Sequence, residues 1–345
     1  MELFLRPAMY NRRSAECFVK KRSPTRRGEE SSGTLFELGL PEPATDGKLA
    51  TTASDPATLA AEPRANIIGA TEPRILLGTS AFTANGWEGT FYPRGMKPAQ
   101  YLAHYATRFR TVEVDSTFYG TPPVARVRAW YEKTPAEFVF AAKVPQVITH
   151  EKVLRDCDAE FREFVGTMET LQEKLGPMLL QFGFFNKYVF NDGQEFLARL
   201  VPFLEKLARE HRFAVEIRNK QWLNERFLDA LREHRIALAL TDHSLMPRPW
   251  EMPKGKKDWP DLITADFAYV RWLGDRKRIE EVTTTWDKTV VDRRDDLLHW
   301  VNIFRDLVKR NLKVYAYANN HYAGNGPGTV KLFWELFENQ EKKES

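Results

Sequence analysis

From residue 74 onward, short apolar runs rich in branched and aromatic residues alternate with longer stretches whose apolar positions recur three and four residues apart. These are the period-2 and period-3.6 signatures of strands and amphipathic helices. Strands are predicted over 75–79, 111–115, 138–143, 178–182, 213–218, 237–242, 267–272 and 314–319. Between them Tyr101, Leu102, Tyr105 and Phe109, or Leu197, Leu200, Val201 and Leu204, mark the apolar face of a helix. Only 243–266 lacks a helical pattern; Pro247, Pro249, Pro253 and Pro260 interrupt it, and a long loop is expected there. A βα unit repeated eight times within residues 74–340 has the size of a (β/α)8 barrel, roughly 250 residues. The alternative, a doubly wound sheet, calls for a glycine-rich phosphate turn after the first strand, and Gly78 stands there without a GxGxxG or GxxxxGK pattern. The expected fold is α/β, a single (β/α)8 TIM barrel.

Ahead of this pattern, the first 73 residues contain a stretch dominated by Ser, Thr, Ala, Pro and Glu, with little apolar periodicity apart from Phe36, Leu38 and Leu40. Such a composition buries too little apolar surface to offset chain entropy, so 1–73 is expected to be a disordered extension and 74–340 the barrel.

Charge changes the picture less than the bulk figures suggest. The pI is near 8.9, but residues 1–30 hold eight Lys or Arg against four Glu, which accounts for the net charge of +4 of all 345 residues. The remainder is neutral, and net charge gives no support to a nucleic-acid partner. Cys17 and Cys157 form no CxxC pair, which excludes a disulfide scaffold or a thiolate zinc site. No apolar run approaches the roughly 18 residues of a membrane span, and Glu2 and Glu16 interrupt the start where a signal peptide would need a continuous apolar core. A cytoplasmic protein without a membrane partner is expected.

The candidate chemistry lies at the strand ends. Alternation turns Val112 and Val114 toward the helices and Glu113 and Asp115 inward; likewise Glu216 and Arg218 face the interior. Lys143, Gln181, Asp242 and Arg271 close other strands. Buried charges require partners, so Glu113 and Glu216 are expected to pair with Lys143, Arg218 and Arg271. Such pairs either neutralise the polar top of the barrel or do chemistry at the face where barrel enzymes carry it. His150, His243 and His321 follow strands three, six and eight and are candidate acids or bases. Together with Glu113, Asp115, Glu216 and Asp242 they are also candidate metal ligands, although no HExxH or other fixed ligand spacing is present. After the last strand, Asn319, Asn320 and His321 run into Gly324, Gly326, Pro327 and Gly328, the outline of an anion site at a helix N-terminus or of a plain glycine connection. Phe82, Trp87, Phe91, Tyr92, Phe118, Tyr119, Trp222 and Trp272 follow strand ends as stacking platforms or as an apolar cover.

At these positions the sequence resembles the YecE-like family, domain-of-unknown-function family 72. The resemblance is carried by GTSAFTANGWEGTFYP from Gly78, TVEVDSTFYGTPP from Thr111, FVFAAKVPQVITH from Phe138, GPMLLQF from Gly176, VEIRNKQW from Val215, YVRWLG from Tyr269 and YAYANNHYAG from Tyr315. It implies a TIM barrel and no assigned reaction. It marks Glu113, Thr117, Phe118, Tyr119, Lys143, His150, Gln181, Glu216, Arg218, Arg271, Asn319, Asn320 and His321. The sequence departs from the family pattern with Asp115 for a usual Asn, Asn219 and Leu273 for usual His, and Gly183 and Phe184 for a common Pro pair. The two missing imidazoles weaken a metal site.

The expected function is an enzyme acting by acid/base chemistry on an anionic small molecule, sugar-phosphate or nucleotide-like. Glu113, Glu216 or His321 would transfer the proton, Lys143 and Arg271 would stabilise negative charge, and Asp115, Tyr119, His150, Gln181, Arg218, Asp242, Asn319 and Asn320 would bind substrate. Metal-assisted phosphodiester cleavage and a non-catalytic binding barrel are the alternatives; the sequence names no cofactor.

Overall fold

The structure is a computed structural model that describes residues 67–252 and 259–344. Eight parallel strands, β1 (Ile75–Thr79), β2 (Thr111–Val114), β3 (Val139–Lys143), β4 (Leu175–Gln181), β5 (Phe213–Glu216), β6 (Ala237–His243), β7 (Phe267–Gly274) and β8 (Lys313–Ala318), form one sheet in the order β1-β8-β7-β6-β5-β4-β3-β2. Helices α1 (Pro98–Ala106), α2 (Val124–Glu132), α3 (Asp158–Met168), α4 (Gly193–Leu204), α5 (Glu225–Glu233), α6 (Arg276–Glu280), α7 (Arg294–Lys309), α8 (Asn320–Ala323) and α9 (Gly326–Glu344) lie between and after them. This is the expected TIM barrel, because β1 pairs with β8 and the sheet curls back on itself. Between β6 and β7 the described residues hold only short 3-10 turns, Pro249–Glu251 and Trp259–Leu262. None of the described helices is long and apolar enough to cross a membrane.

The seam between β1 and β2 carries no strand ladder, and one tyrosine bridges it. The Tyr105 hydroxyl accepts from the Thr79 backbone N–H at 2.8 Å and lies 3.2 Å from the Thr111 carbonyl, to which it donates. Gly78 permits the approach: a Cβ there would stand 2.0 Å from the Thr111 oxygen. Tyr105→Phe is therefore expected to lower stability by about 1–3 kcal/mol, the range for stranding a buried polar group. Urea unfolding with an unchanged midpoint would show that the bridge is dispensable.

Side-chain parity builds two cores. Ile75, Leu77, Val112, Val114, Phe140 and Ala142 face the helices, whereas Leu76, Ala141, Leu179, Ala214, Ala237, Ala239, Phe267, Tyr269, Tyr315 and Tyr317 fill the barrel. The interior is uneven: large rings from β7 and β8 share it with alanines on β3, β5 and β6.

Strand ends differ from expectation by one to three residues. β2 stops at Val114 and Asp115 opens a 3-10 turn, Asp115–Tyr119; β5 stops at Glu216, leaving Arg218 beyond the ladder; β4 begins at Leu175. The expected extension lies outside the described residues up to position 66. Residues 67–73, by contrast, form a turn packed on the barrel, the Ile68 N–H donating to the Arg108 carbonyl and Arg110 Nη2 to the carbonyls of Gly69, Glu72 and Ile75. A buried guanidinium reaching from 37 residues or so away is not legible in the local composition of those seven residues.

Candidate functional site

Three strands with alternating apolar residues, TVEV, FAVE and FAYVRWLG, each turn one charge into the barrel. Glu113, Glu216 and Arg271 are all but completely buried. Arg271 donates to Glu113 Oε1 from Nε (3.1 Å) and Nη2 (2.6 Å), and to Glu216 Oε2 from Nη1 (2.7 Å). Tyr269 closes one end by donating to Glu113 Oε2 at 2.6 Å. At the other end Arg218 Nη2 pairs with Glu216 Oε1 at 2.5 Å. The result is a buried row of alternating sign, Glu113, Arg271, Glu216, Arg218, running toward the C-terminal mouth.

Its members are held differently. Burial works to raise the Glu216 carboxyl, but Arg218, Arg271 and Lys143 outweigh it and hold it at about 2. Burial prevails at Glu113, which sits above the ordinary carboxylate range despite Arg271. For Arg271 the neighbouring carboxylates overcome burial and raise its pKa. At the exposed end Arg218 Nη1 is buried and has no hydrogen-bond partner.

Three further groups end or follow the neighbouring strands β3 and β4. Lys143, at the end of β3, pairs with Asp115 at 3.1 Å and lies 3.9 Å above the Phe118 ring; its carbonyl accepts from Thr117 Oγ1 at 2.7 Å. Gln181 donates to its neighbour's carbonyl, Phe182, at 2.6 Å. His150 lies on a π-helical turn, Val147–Glu151, followed by three non-glycine residues with positive φ, Val153, Leu154 and Asp156. Such a conformation costs on the order of 1–3 kcal/mol per residue and persists only when its surroundings enforce it. Here Leu154 N–H donates to the Ile148 carbonyl and Lys152 Nζ to the Asp156 carbonyl and Glu160. The strained turn holds His150 against Phe118, ring centroids 5.0 Å apart, with burial and then Lys143 and Arg218 lowering its pKa.

His243 is the group that strand-end reading undervalued. Alternation from Ala237 and Ala239 through Thr241 puts His243 inside and Asp242 outside, so the period-2 count itself carried the signal. The Leu245 backbone N–H donates to His243 Nδ1 at 3.0 Å, which makes the imidazole neutral with its proton on Nε2. Burial, reinforced by Arg218, lowers its pKa to about 4. Asp242, expected to bind substrate, faces the helices: it accepts from Arg248 Nε (2.9 Å), Tyr322 Oη (2.9 Å) and Trp300 Nε1 (3.3 Å). Its role there is to tie the β6 loop, α7 and α8 together.

The loop after β8 also differs from the anion cradle suggested by its glycines. Asn320 Oδ1 accepts the Gly326 N–H at 2.8 Å, Asn325 Oδ1 the Gly328 N–H at 2.5 Å, and the Asn325 carbonyl the Thr329 N–H at 3.0 Å. With Pro327 lacking an N–H, the first turn of α9 has none to offer a phosphate. Asn319 caps α8 and donates to Ser80 Oγ at 2.9 Å; His321 is engaged at both nitrogens, by Asn319 Oδ1 (2.6 Å) and Glu280 Oε1 (3.2 Å). Burial lowers the His321 pKa despite Glu280. Of the aromatic residues, Trp87 and Tyr92 are buried with Phe91, Tyr101 and Phe109, Trp222 with Phe185 and Phe196, and Trp272 among α7 and α9. Tyr119 remains 77% exposed at the rim. Among the described residues no three His, Cys, Asp or Glu side chains converge as metal ligands.

Against known proteins, the family model described as "Protein of unknown function DUF72" matches residues 76–345. The UPF0759 protein YecE of Escherichia coli strain K12 is 28% identical over 201 residues, 54% of this chain and 72% of that protein. A solved DUF72 family protein from Thermotoga maritima superposes with a TM-score of 0.56 at 26% identity, covering 78% of this chain and 99% of that one. One from Enterococcus faecalis gives 0.55 at 20% identity, over 76% and 95% of the two chains.

Proposed function

Since the chain belongs to the DUF72 family of proteins of unknown function, membership brings no reaction with it, and we propose from the site's own chemistry that this is an enzyme acting by acid/base catalysis on an anionic small molecule. The observation that carries the reading is Arg218 Nη1, a buried guanidinium nitrogen without a protein acceptor. A charged donor left unsatisfied costs more than the 1–3 kcal/mol or so of a neutral one, and a carboxylate or phosphate oxygen would relieve it. Lys143, fixed by Asp115 and the Phe118 face, supplies the second cation.

In this reading His150, held by its strained turn, takes the proton from the substrate as the base and returns it, while His243, neutral with its proton on Nε2, hydrogen-bonds the substrate from that nitrogen; burial lowers the pKa of both. Glu113 is hydrogen-bonded by Arg271 and Tyr269, and Glu216 by Arg271 with its other oxygen ion-paired to Arg218; Glu216 stays ionised down to about pH 2, so the two serve as struts that aim Arg218. His321, occupied at both nitrogens, supports the β8 loop.

The reading is tested by thermal shift against inorganic phosphate, sugar phosphates and small carboxylates. At a ligand concentration a hundredfold above Kd, binding to the native state adds about 2.7 kcal/mol of stability. Arg218→Met is expected to abolish the shift and Arg218→Lys to retain part of it. A panel without any stabilising anion, or an undiminished shift in Arg218→Met, would refute the anion site.

A further inference from the structure

Loops that follow strands are ordinarily polar at their tips, and here they are not. Among the described residues eight large apolar side chains are substantially exposed; five of them, Tyr119, Val124, Phe184, Tyr188 and Val189, lie between the end of β2 and the first residue of α2 or between β4 and α4, Leu245 follows β6, and Val282 follows the short helix after β7. Scattered exposed apolar residues need no explanation, but confinement to one end of a barrel does. That end is the one carrying Arg218 and Lys143.

One of these residues is tied to the site by contact, and a second by its neighbour in the chain. Tyr119 packs edge-on against Phe118 at 5.6 Å, and Phe118 packs edge-on against His150 at 5.0 Å. From the other side the β4 loop closes on the same imidazole: a Cβ at Gly183 would lie 3.2 Å from His150 Nε2, and Phe184 follows directly, 61% exposed. The loops after β2 and β4 thus both reach His150, through Phe118 and Gly183, and each carries an exposed aromatic residue, Tyr119 and Phe184. Beneath them stands a cation already seated on a ring face, Lys143 over Phe118.

We propose that the anion taken by Arg218 and Lys143 carries a flat aromatic or heteroaromatic group, which stacks on Tyr119 and Phe184 at the rim while the charge reaches down past His150. The inference rests on the anion site proposed above and assigns its ligand to the aryl anions, with phosphate or carboxylate as the charged end. Rings with a negative face and polarisable surface stack on one another and flank cations, whereas a purely aliphatic phosphate leaves both exposed side chains unused.

Calorimetric titration of the full chain with matched probes separates the two layers of the claim. Phenyl phosphate is compared with methyl phosphate, and benzoate with acetate. The wild type is expected to prefer the aryl member by about tenfold, the gain of a stacked ring; Tyr119→Ala and Phe184→Ala, at exposed positions, reduce the preference while inorganic phosphate binds as before. Equal affinities for aryl and alkyl probes, or a preference untouched by both substitutions, overturn the aryl assignment and leave the anion site standing. Absence of binding by every anion overturns both.

Discussion

Replacing Arg271 by Met is expected to destabilise the protein by about 3–5 kcal/mol, the range for removing one partner of a buried ion pair. The residue donates three hydrogen bonds to two carboxylates that no solvent reaches. Without it Glu113 keeps the hydrogen bond from Tyr269 and Glu216 the ion pair with Arg218 and the more distant charge of Lys143. The triple replacement Glu113→Gln, Glu216→Gln, Arg271→Met removes the charges together and is expected to recover part of the loss, because the penalty comes from uncompensated charge. Urea unfolding of the single and triple variants decides the matter: a triple variant no more stable than Arg271→Met alone would show that the row contributes through packing and not through charge balance.

Acid is expected to remove a second large increment. The folded-state pKa of Glu216 is depressed from its ordinary value of 4.5 to about 2, so its contribution is complete above pH 4.5 and disappears as the pH falls through the folded value. A fall from 4.5 to about 2 corresponds to stability on the order of 3 kcal/mol. Glu113 has the opposite sign: its raised folded-state pKa means that ionising it costs stability above the ordinary carboxylate value. The two curves leave the steepest loss between about pH 4.5 and 2, where Glu216 takes up its proton. Urea midpoints of the wild type and Glu216→Gln across that window should converge as the pH falls. A gap that stays constant from pH 5 to 2 would show that the carboxylate is not the titrating group.

Much of this was written in local pattern. Period-2 alternation places Glu113, Asp115, Glu216 and Arg218 inside and sets Arg271 at a strand end, because successive side chains of a strand must take opposite faces and only the apolar set suits the helix side. The same count, carried one residue further along β6, separates His243 from Asp242; attention to charge at the strand end obscured it. The glycine-rich run after β8 shows the reverse failure. Its composition fits a phosphate loop, and what decides against one is the side-chain oxygen of Asn320, six residues before the N–H it satisfies, and that of Asn325. A polar side chain takes whichever donor the folded backbone brings within 3 Å, and sequence separation does not encode that distance.

The eightfold βα rhythm, the inward charges and the family are legible in local pattern, since they follow from periodicities of two and 3.6 and from contiguous motifs. Tertiary structure alone decided who meets whom. It joined Glu113 and Glu216 through one arginine, left Arg218 Nη1 without a hydrogen-bond partner, bent the chain after His150 into positive φ, and brought Phe118 and Gly183 against that histidine. The reason is physical: burial fixes which face a residue takes, but the energy of a charge or a ring in a low-dielectric interior depends on partners brought from strands and loops far away in the chain.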